Sequence, residues 1–285
     1  MPTSLLLLLG LAAPFPAVAA PVALPTPLAR APLSASAPSS EQEPGDEEKK
    51  EETAKERAAK EKAAVAKLSA GLKSDQANER QGALIDAART PYPKVVKALG
   101  EVIGDEDPQL GMIAAELLGR MEQEDAYEAL RRCATREKKR LAKHPELLEE
   151  VIRGLGRHRD PRSAKMLIKG AFDDENRMVG RARVFAVANL RSKEAAAAIF
   201  GEMKKKDVRR LNGWIQPIRP ALIHVTGKDV GKDPARWLQW WEANRRTFEV
   251  PEQPPRLTAE YAEQWARFWG EERTYERRKK RSDRG

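Results

Sequence analysis

The sequence predicts an all-α fold, a solenoid in which short antiparallel helix pairs stack on one another. Between residues 65 and 249, apolar residues recur at helical spacing in segments of roughly 10 to 18 residues, with short breaks between the segments. No segment alternates apolar and polar residues for long enough to indicate a strand. Three of the helical segments also repeat at a fixed interval, which is typical of a stacked architecture.

Residues 1–19 are predicted to be a secretory signal peptide. An apolar run from Leu5 to Ala13 precedes two prolines and the small residues Ala17, Val18 and Ala19. The run is too short to span a bilayer as a stable helix. We therefore expect cleavage after Ala19 and an exported protein, periplasmic or secreted. No later segment is apolar enough to be a transmembrane segment of the mature chain.

The next two segments are predicted to be linkers. Residues 20–45 are rich in Pro, Ala and Ser and have few large apolar side chains, so we expect a disordered, flexible N-terminal segment. Residues 46–64 contain strong helix formers and oppositely charged pairs four residues apart, such as Glu51 with Lys55, but no apolar face. This composition predicts a charged helical linker.

Residues 65–249 are predicted to be the repeat domain. One helix carries the apolar stripe Val95, Val96, Leu99, Val102 and Ile103. Asp-Pro pairs open later helices, because an aspartate can cap a helix and the proline that follows needs no helical N–H. These pairs are Asp107-Pro108 and Asp160-Pro161.

The segments 116–130, 153–167 and 186–200 align on Leu118, Leu155 and Leu190, a period of roughly 35 to 37 residues. In each, a helix ends, a short charged turn follows, and a second helix begins. The pattern resembles HEAT repeats and covers about two thirds of the chain. The resemblance implies paired antiparallel helices stacked into a right-handed solenoid. An ordinary helical bundle is the alternative fold.

The stretch GKDPARWLQWWEANRR, residues 231–246, is predicted to close the repeat domain. Asp233 would cap its helix and Pro234 would occupy the first helical position. Trp237, Trp240 and Trp241 then lie on one face at i, i+3 and i+4. Residues 223–246 also resemble the closing segment of many bacterial HEAT-repeat proteins.

Residues 250–272 are predicted to form a C-terminal capping helix that folds back on the tryptophan helix through the turn at 251–255. Its aromatic and apolar stripe is Leu257, Tyr261, Trp265, Phe268 and Trp269. Large rings can cover the apolar face that a terminal repeat leaves without a neighbour, so we favour a structural cap. A platform that stacks on bases or sugars is the alternative.

The titratable residues predict neither catalysis nor metal binding. The histidines are His144, His158 and His224, none at metal-ligand spacing. His144 and His158 are expected at helix ends, facing the helix dipole or solvated. Cys133, the only cysteine, lies on the apolar side of a helical pattern and is expected to be buried and inert. We therefore expect no enzyme and no cofactor.

The chain has a net charge of +9, and its basic residues concentrate at 131–144, 204–210 and in a tail, 273–285. The cations Arg277, Arg278, Lys279, Lys280 and Arg281 of that tail could meet an anionic surface. We expect a protein-interaction or scaffolding module whose protein or peptide partner the sequence does not identify. Nucleic-acid or polyanion binding is the alternative; the export signal argues against a nucleic-acid partner.

Overall fold

The computed structural model describes residues 45–173 and 175–270, with side chains from residue 54 onward. Every regular element in these residues is helical, and no strand lies among them, so the predicted all-α fold is confirmed. The α-helices, in chain order from α1 to α13, are Gly45–Gly71, Ala77–Ala88, Pro93–Val102, Pro108–Arg120, Glu124–Arg136, Lys138–Leu141, Pro145–Arg157, Ala164–Ile168, Arg177–Asn189, Lys193–Met203, Val208–Thr226, Pro234–Asn244 and Ala259–Trp269.

Helices α2 to α12 form a two-layered solenoid. Helices α2, α4, α7, α9 and α11 pack side by side in one layer, which we call the first-helix layer. Helices α3, α5, α8, α10 and α12 follow them in the chain and form the second-helix layer, in which α3 packs on α5 and α10 packs on both α8 and α12. Successive helical hairpins join the two layers. This arrangement confirms the predicted solenoid, and the alternative fold, a helical bundle, is not observed.

Short polar side chains begin several of these helices. The Oδ1 atom of Asp107 accepts a hydrogen bond of 2.9 Å from the N–H of Gln109 at the start of α4. Asp160 accepts one of 2.8 Å from the N–H of Arg162, but a 3₁₀ turn, Pro161–Ser163, precedes the short helix α8. Each cap satisfies an N–H that has no partner within its helix.

The predicted apolar stripes lie inside the domain. The stripe of α3, from Val95 to Ile103, is between 0% and 5% exposed. The closest approach within the first-helix layer is between α4 and α7, where glycines face each other. A Cβ added to Gly119 would lie 2.5 Å from the Cα of Gly154, so only glycine permits this spacing.

Helix α1 is continuous from Gly45 to Gly71, so the predicted linker and the first packing residues belong to one element. Its last turns join the domain through Leu68, which is 2% exposed. At its middle, Glu61 accepts a hydrogen bond of 2.8 Å from the N–H of Lys94 at the start of α3. Among the described residues, no helix is both long enough and apolar enough to cross a membrane.

Candidate functional site

The first aromatic group surrounds α12, and we call Phe200, Trp237, Trp240, Trp241 and Phe248 the α12 cluster. Phe200 comes from α10 and Phe248 from the segment after α12. The rings of Phe200 and Trp241 stack with centroids 4.8 Å apart and an interplanar angle of 10°. Trp240 contacts Phe200, Trp237, Trp241 and Phe248, with centroid distances of 6.1 to 6.4 Å.

The α12 cluster is largely buried, and the indole nitrogen of Trp237, its most buried tryptophan, is hydrogen-bonded. Trp237 is 0% exposed and Trp241 is 5% exposed, whereas Trp240 is only partly buried. The Nε1–H of Trp237 donates a 2.8 Å hydrogen bond to the carbonyl of Gly231. At the start of the helix, Asp233 accepts a 2.8 Å bond from the N–H of Ala235, and Pro234 is the first helical residue.

The second aromatic group surrounds α13, and we call Phe185, His224, Trp265, Phe268 and Trp269 the α13 cluster. Trp265 stacks on His224 of α11 at 4.1 Å and on Phe185 of α9 at 5.2 Å. The prediction that this helix folds back on α12 is therefore wrong. Helix α13 packs on α11, and its rings extend across the first-helix layer. Trp265, predicted to share one cap with the α12 tryptophans, lies in a different cluster.

Hydrogen bonds fix α13 and the segment before it on the first-helix layer. Arg157, at the end of α7, donates a bond of 3.1 Å to the carbonyl of Trp269. Arg191 donates to the carbonyls of His224 and Pro251, and so joins α11 to the segment between α12 and α13. Gly156 gives α13 room, because a Cβ there would lie 2.9 Å from the Cη2 atom of Trp269.

A cavity of about 760 Å³ lies between α13 and the first-helix layer, and we call it the α13 cavity. Arginine side chains and the rings of the α13 cluster line it together. The lining includes Arg120, Arg157, Arg159, Asn189, His224, Trp265 and Trp269. Sequence reasoning missed this site, since its arginines lie 100 to 139 residues before the start of α13 and no local motif connects them.

A second depression lies between α10 and α12, in the second-helix layer, and we call it the α10–α12 cleft. It has a volume of about 520 Å³, and the side chains of Ala197 and Trp241 line it beside Gly201. Its charged lining is entirely basic, consisting of Lys193, Lys204, Arg245 and Arg246. A single carboxylate, that of Glu242, pairs with both Lys204 and Arg245. Because four cations face one carboxylate, the cleft has a net positive charge.

Six exposed cations of the second-helix layer, two of them in the α10–α12 cleft, lack carboxylate partners among the described residues. They are Arg132 and Arg136 of α5, Lys165 of α8, Lys169 just after α8, Lys193 of α10 and Arg246 just after α12. Arg132 and Arg136 line a further cleft of about 410 Å³ between α3 and α5. Exposed carboxylates without a cation partner among the described residues, Asp125 of α5 and Glu194 of α10, lie in the same layer, so its positive charge is most concentrated at the α10–α12 cleft.

Comparison with known proteins agrees with the two-layered helical architecture. Residues 65–144, which span the end of α1 to α6, match the family model of HEAT repeats. This part of the chain contains HEAT repeats. No curated protein matches it.

The lone cysteine and the middle histidine are packing residues. Cys133 is 6% exposed, and burial raises the pKa of its thiol to about 12. His158 lies at the end of α7, as predicted, but it is half-buried rather than solvated. Its Nε2 atom lies 3.0 Å from the carbonyl of Leu118 near the end of α4, and its ring packs edge-on against Tyr127. Burial lowers the pKa of His158. No metal-binding group of three or more His, Cys, Asp or Glu lies among the described residues.

The predicted anion-binding residues of the tail, Arg277, Arg278, Lys279, Lys280 and Arg281, lie outside the described residues, as do the predicted signal peptide and nearly all of the flexible segment after it. The other two basic clusters lie in described parts of the chain. In the second of them, Lys206 and Arg210 both pair with Asp173. Part of the basic sequence signal therefore reflects ion pairs between neighbouring repeats.

Proposed function

We propose that this protein is a non-enzymatic, exported interaction module, and that the second-helix layer binds an acidic segment of a partner protein. HEAT-repeat domains generally act as protein-interaction scaffolds, which supports the first part of the proposal. The observation that carries the second part is the α10–α12 cleft, whose four charged lining side chains are all cations.

The cleft combines charge with an aromatic surface. Lys193 and Arg246 have no carboxylate partner among the described residues, and both are exposed. Trp241 lines the cleft although most of its ring is buried. Gly201 adds open backbone, since nothing lies within 4 Å of the position that its Cβ would occupy. Carboxylates of a partner could pair with the cations while its apolar side chains contact the floor.

The absence of catalysis is supported by the state of the two most plausible reactive groups. The thiol of Cys133 has a pKa of about 12, so it is not a thiolate at neutral pH. His224 is 7% exposed, and its pKa of about 4 keeps the ring neutral. The ring that stacks on His224 is Trp265, which is neither a base nor a nucleophile.

The binding test uses the full chain and a fluorescein-labelled polyglutamate peptide, with anisotropy measured between about 50 and 200 mM salt. We expect saturable binding that weakens with salt, and at least a tenfold loss in the Lys193→Gln/Arg246→Gln double variant. The charge-matched control is Lys62→Gln/Lys73→Gln, which removes two exposed cations far from the cleft in sequence. Equal losses in both variants would show that only net charge matters.

Phosphate recognition is the second candidate, because the same unpaired cations could contact a nucleic-acid backbone. A labelled DNA duplex in the same titration separates the two functions. If the duplex binds more tightly than polyglutamate at equal ionic strength, and Lys193→Gln/Arg246→Gln abolishes its binding, nucleic-acid binding replaces the protein-partner proposal.

A deletion of residues 273–285, tested on anionic phospholipid vesicles, measures what the basic tail contributes to binding at an anionic surface.

Export is supported by the apolar run and small-residue motif of residues 1–19. Fractionation of the expressing cell, followed by sequencing of the amino terminus, tests it. We expect a mature chain that begins at Ala20 outside the cytoplasm. A cytoplasmic protein that retains Met1 would contradict export and strengthen the nucleic-acid candidate.

A further inference from the structure

The α13 cavity is separate from the α10–α12 cleft. It lies against the first-helix layer, and its wall is formed by α4, α7, α9, α11, α13 and the segment that precedes α13. Its volume of about 760 Å³ is within the usual range for small-molecule sites, roughly 300 to 1,000 Å³.

The cavity has an excess of positive charge. Arg120 forms two hydrogen bonds with Glu116, and Arg157 pairs with Glu150. The side chain of Arg159, in contrast, has no hydrogen bond or ion pair with any described residue, although its backbone N–H bonds to the carbonyl of Gly156. Its backbone has φ of 54°, in the left-handed region, immediately after the end of α7. A guanidinium on the cavity wall is therefore available to an anionic ligand.

Two buried nitrogens on the same wall have no hydrogen-bond partner. They are Nε2 of His224 and Nε1 of Trp269, and the side chains are 7% and 6% exposed. An indole N–H is only a donor, so Trp269 requires an acceptor. A buried polar group left without a partner is destabilising, and such groups are rare in folded proteins. By contrast, the corresponding nitrogen of Trp237 in the α12 cluster is bonded.

The rest of the wall suits a flat apolar group. Trp265 lines the cavity and stacks on His224, with an angle of 24° between the rings. Leu257, Ala262 and Pro254 contribute apolar surface nearby. Because His224 and Phe185 already stack on Trp265, a ligand ring would pack against the edge of the indole and displace water, which favours a ring over a hydrated inorganic ion.

We propose that the α13 cavity binds a small aromatic anion, a carboxylate or phosphate attached to a ring. The anionic group pairs with Arg159 and accepts a hydrogen bond from the Nε1–H of Trp269, and a second from His224 when its Nε2 atom carries the proton. Each nitrogen exposes less than 1 Å², so binding includes a small shift of the rings that cover them. The ring packs against Trp265. This ligand class matches the charge, the missing acceptors and the aromatic wall together, whereas a cation or a neutral apolar molecule matches only one of them.

Isothermal titration calorimetry of the full chain tests the proposal with benzoate and phenyl phosphate as probes. Phenol and inorganic phosphate, the two parts of phenyl phosphate, are the controls. We expect one of the two aromatic anions to bind with 1:1 stoichiometry at millimolar or tighter affinity, and each control to bind at least tenfold more weakly. Arg159→Gln keeps the backbone strain and removes only the charge. It should lower the affinity about tenfold or more.

Two further variants separate a site from general electrostatics. Trp269→Phe keeps a ring but removes the unpaired N–H, and we expect a severalfold loss of affinity with the protein still folded by circular dichroism. Arg209→Gln removes an equally exposed cation, without an ion pair among the described residues, from the start of α11 and should change nothing. The proposal is overturned if neither aromatic anion binds at about 10 mM, if inorganic phosphate binds as tightly as they do, or if Arg159→Gln and Arg209→Gln have equal effects.

Discussion

The α12 and α13 clusters have similar compositions but different surroundings. In the α12 cluster the buried indole of Trp237 is bonded to a backbone carbonyl, and aromatic rings surround it. In the α13 cluster the equally buried indole of Trp269 has no acceptor, and a neighbouring histidine nitrogen also lacks a partner. Three arginines line the cavity beside it.

This difference shows that the number of tryptophans in a segment does not distinguish a packing cluster from a binding site. The hydrogen-bond state of the ring nitrogens does, because a core without a ligand should satisfy its own donors. By that criterion the α12 cluster is a packing cluster of the core. The α13 cluster has buried ring nitrogens without hydrogen-bond partners, and these lie beside a cavity.

The largest expected effect is in the α12 cluster. Trp237→Ala should lower the free energy of unfolding by about 3–5 kcal/mol, since it removes a fully buried ring and its hydrogen bond. Trp240→Ala, in a partly buried ring, should cost less than half as much. Urea denaturation followed by far-ultraviolet circular dichroism measures both. Equal costs would mean that the cluster is not centred on Trp237.

The pH dependence of stability tests the α13 cluster. Burial, with smaller contributions from Arg191 and Arg159, lowers the pKa of His224 from 6.5 to about 4. Between these values the unfolded chain binds more protons, so stability should fall as the pH falls from about 6.5 to 4. The loss from this group is on the order of 3 kcal/mol.

The control for this titration is His224→Gln, which removes the group while His158 remains. Urea unfolding at pH 7 and pH 4.5 should show a smaller loss in the variant than in the parent protein. If the two losses are the same, His224 is not a buried neutral base and the described packing of Trp265 on it is wrong.

A glycine substitution tests how tightly α13 rests on α7. In Gly156→Ala the new methyl would lie 2.8 Å from the Cα of Ala186 and 2.9 Å from the Trp269 ring. We expect a cost of about 1–3 kcal/mol from overpacking, measured by thermal or urea unfolding. Gly82→Ala in α2 is the matched control, since nothing lies within 4 Å of its new methyl. It should stabilise the helix by about 0.5–1 kcal/mol.

The smallest effect is expected at the start of α12. Asp233→Ala removes the acceptor for the N–H of Ala235 and should cost about 1 kcal/mol, whereas Asp233→Asn should cost a few tenths. Both are measured by urea unfolding. A cost of several kcal/mol for Asp233→Ala would mean that the cap stabilises the packing of the α12 cluster as well as the start of its own helix.

Periodicity and capping residues were sufficient to predict the solenoid. The stripe from Val95 to Ile103 is buried, and Asp107 and Asp160 cap the segments that they were expected to cap. These features depend on spacing within a helix, which the sequence contains directly. The sequence pattern did not predict the type of helical turn, because the segment after Asp160 begins as a 3₁₀ turn before α8.

The position of α13 could not be predicted in the same way. Its stripe of Tyr261, Trp265 and Phe268 indicates that one face is buried, but not against which layer. The choice depends on room beside Gly156 and on the partners that Arg157 and Arg191 offer, and all three lie far away in sequence. The α13 cavity follows from that placement, so it too was absent from the sequence analysis.

The most direct test of the two-cluster description is a measurement of which ring contacts Trp265. Nuclear Overhauser effects from selectively labelled tryptophan and phenylalanine rings report such contacts in solution. The structure predicts cross-peaks between Trp265 and Phe185, whose centroids are 5.2 Å apart. Cross-peaks from Trp265 to Trp240 or Trp241 instead would place α13 on α12, and would contradict both the separation of the clusters and the cavity between α13 and the first-helix layer.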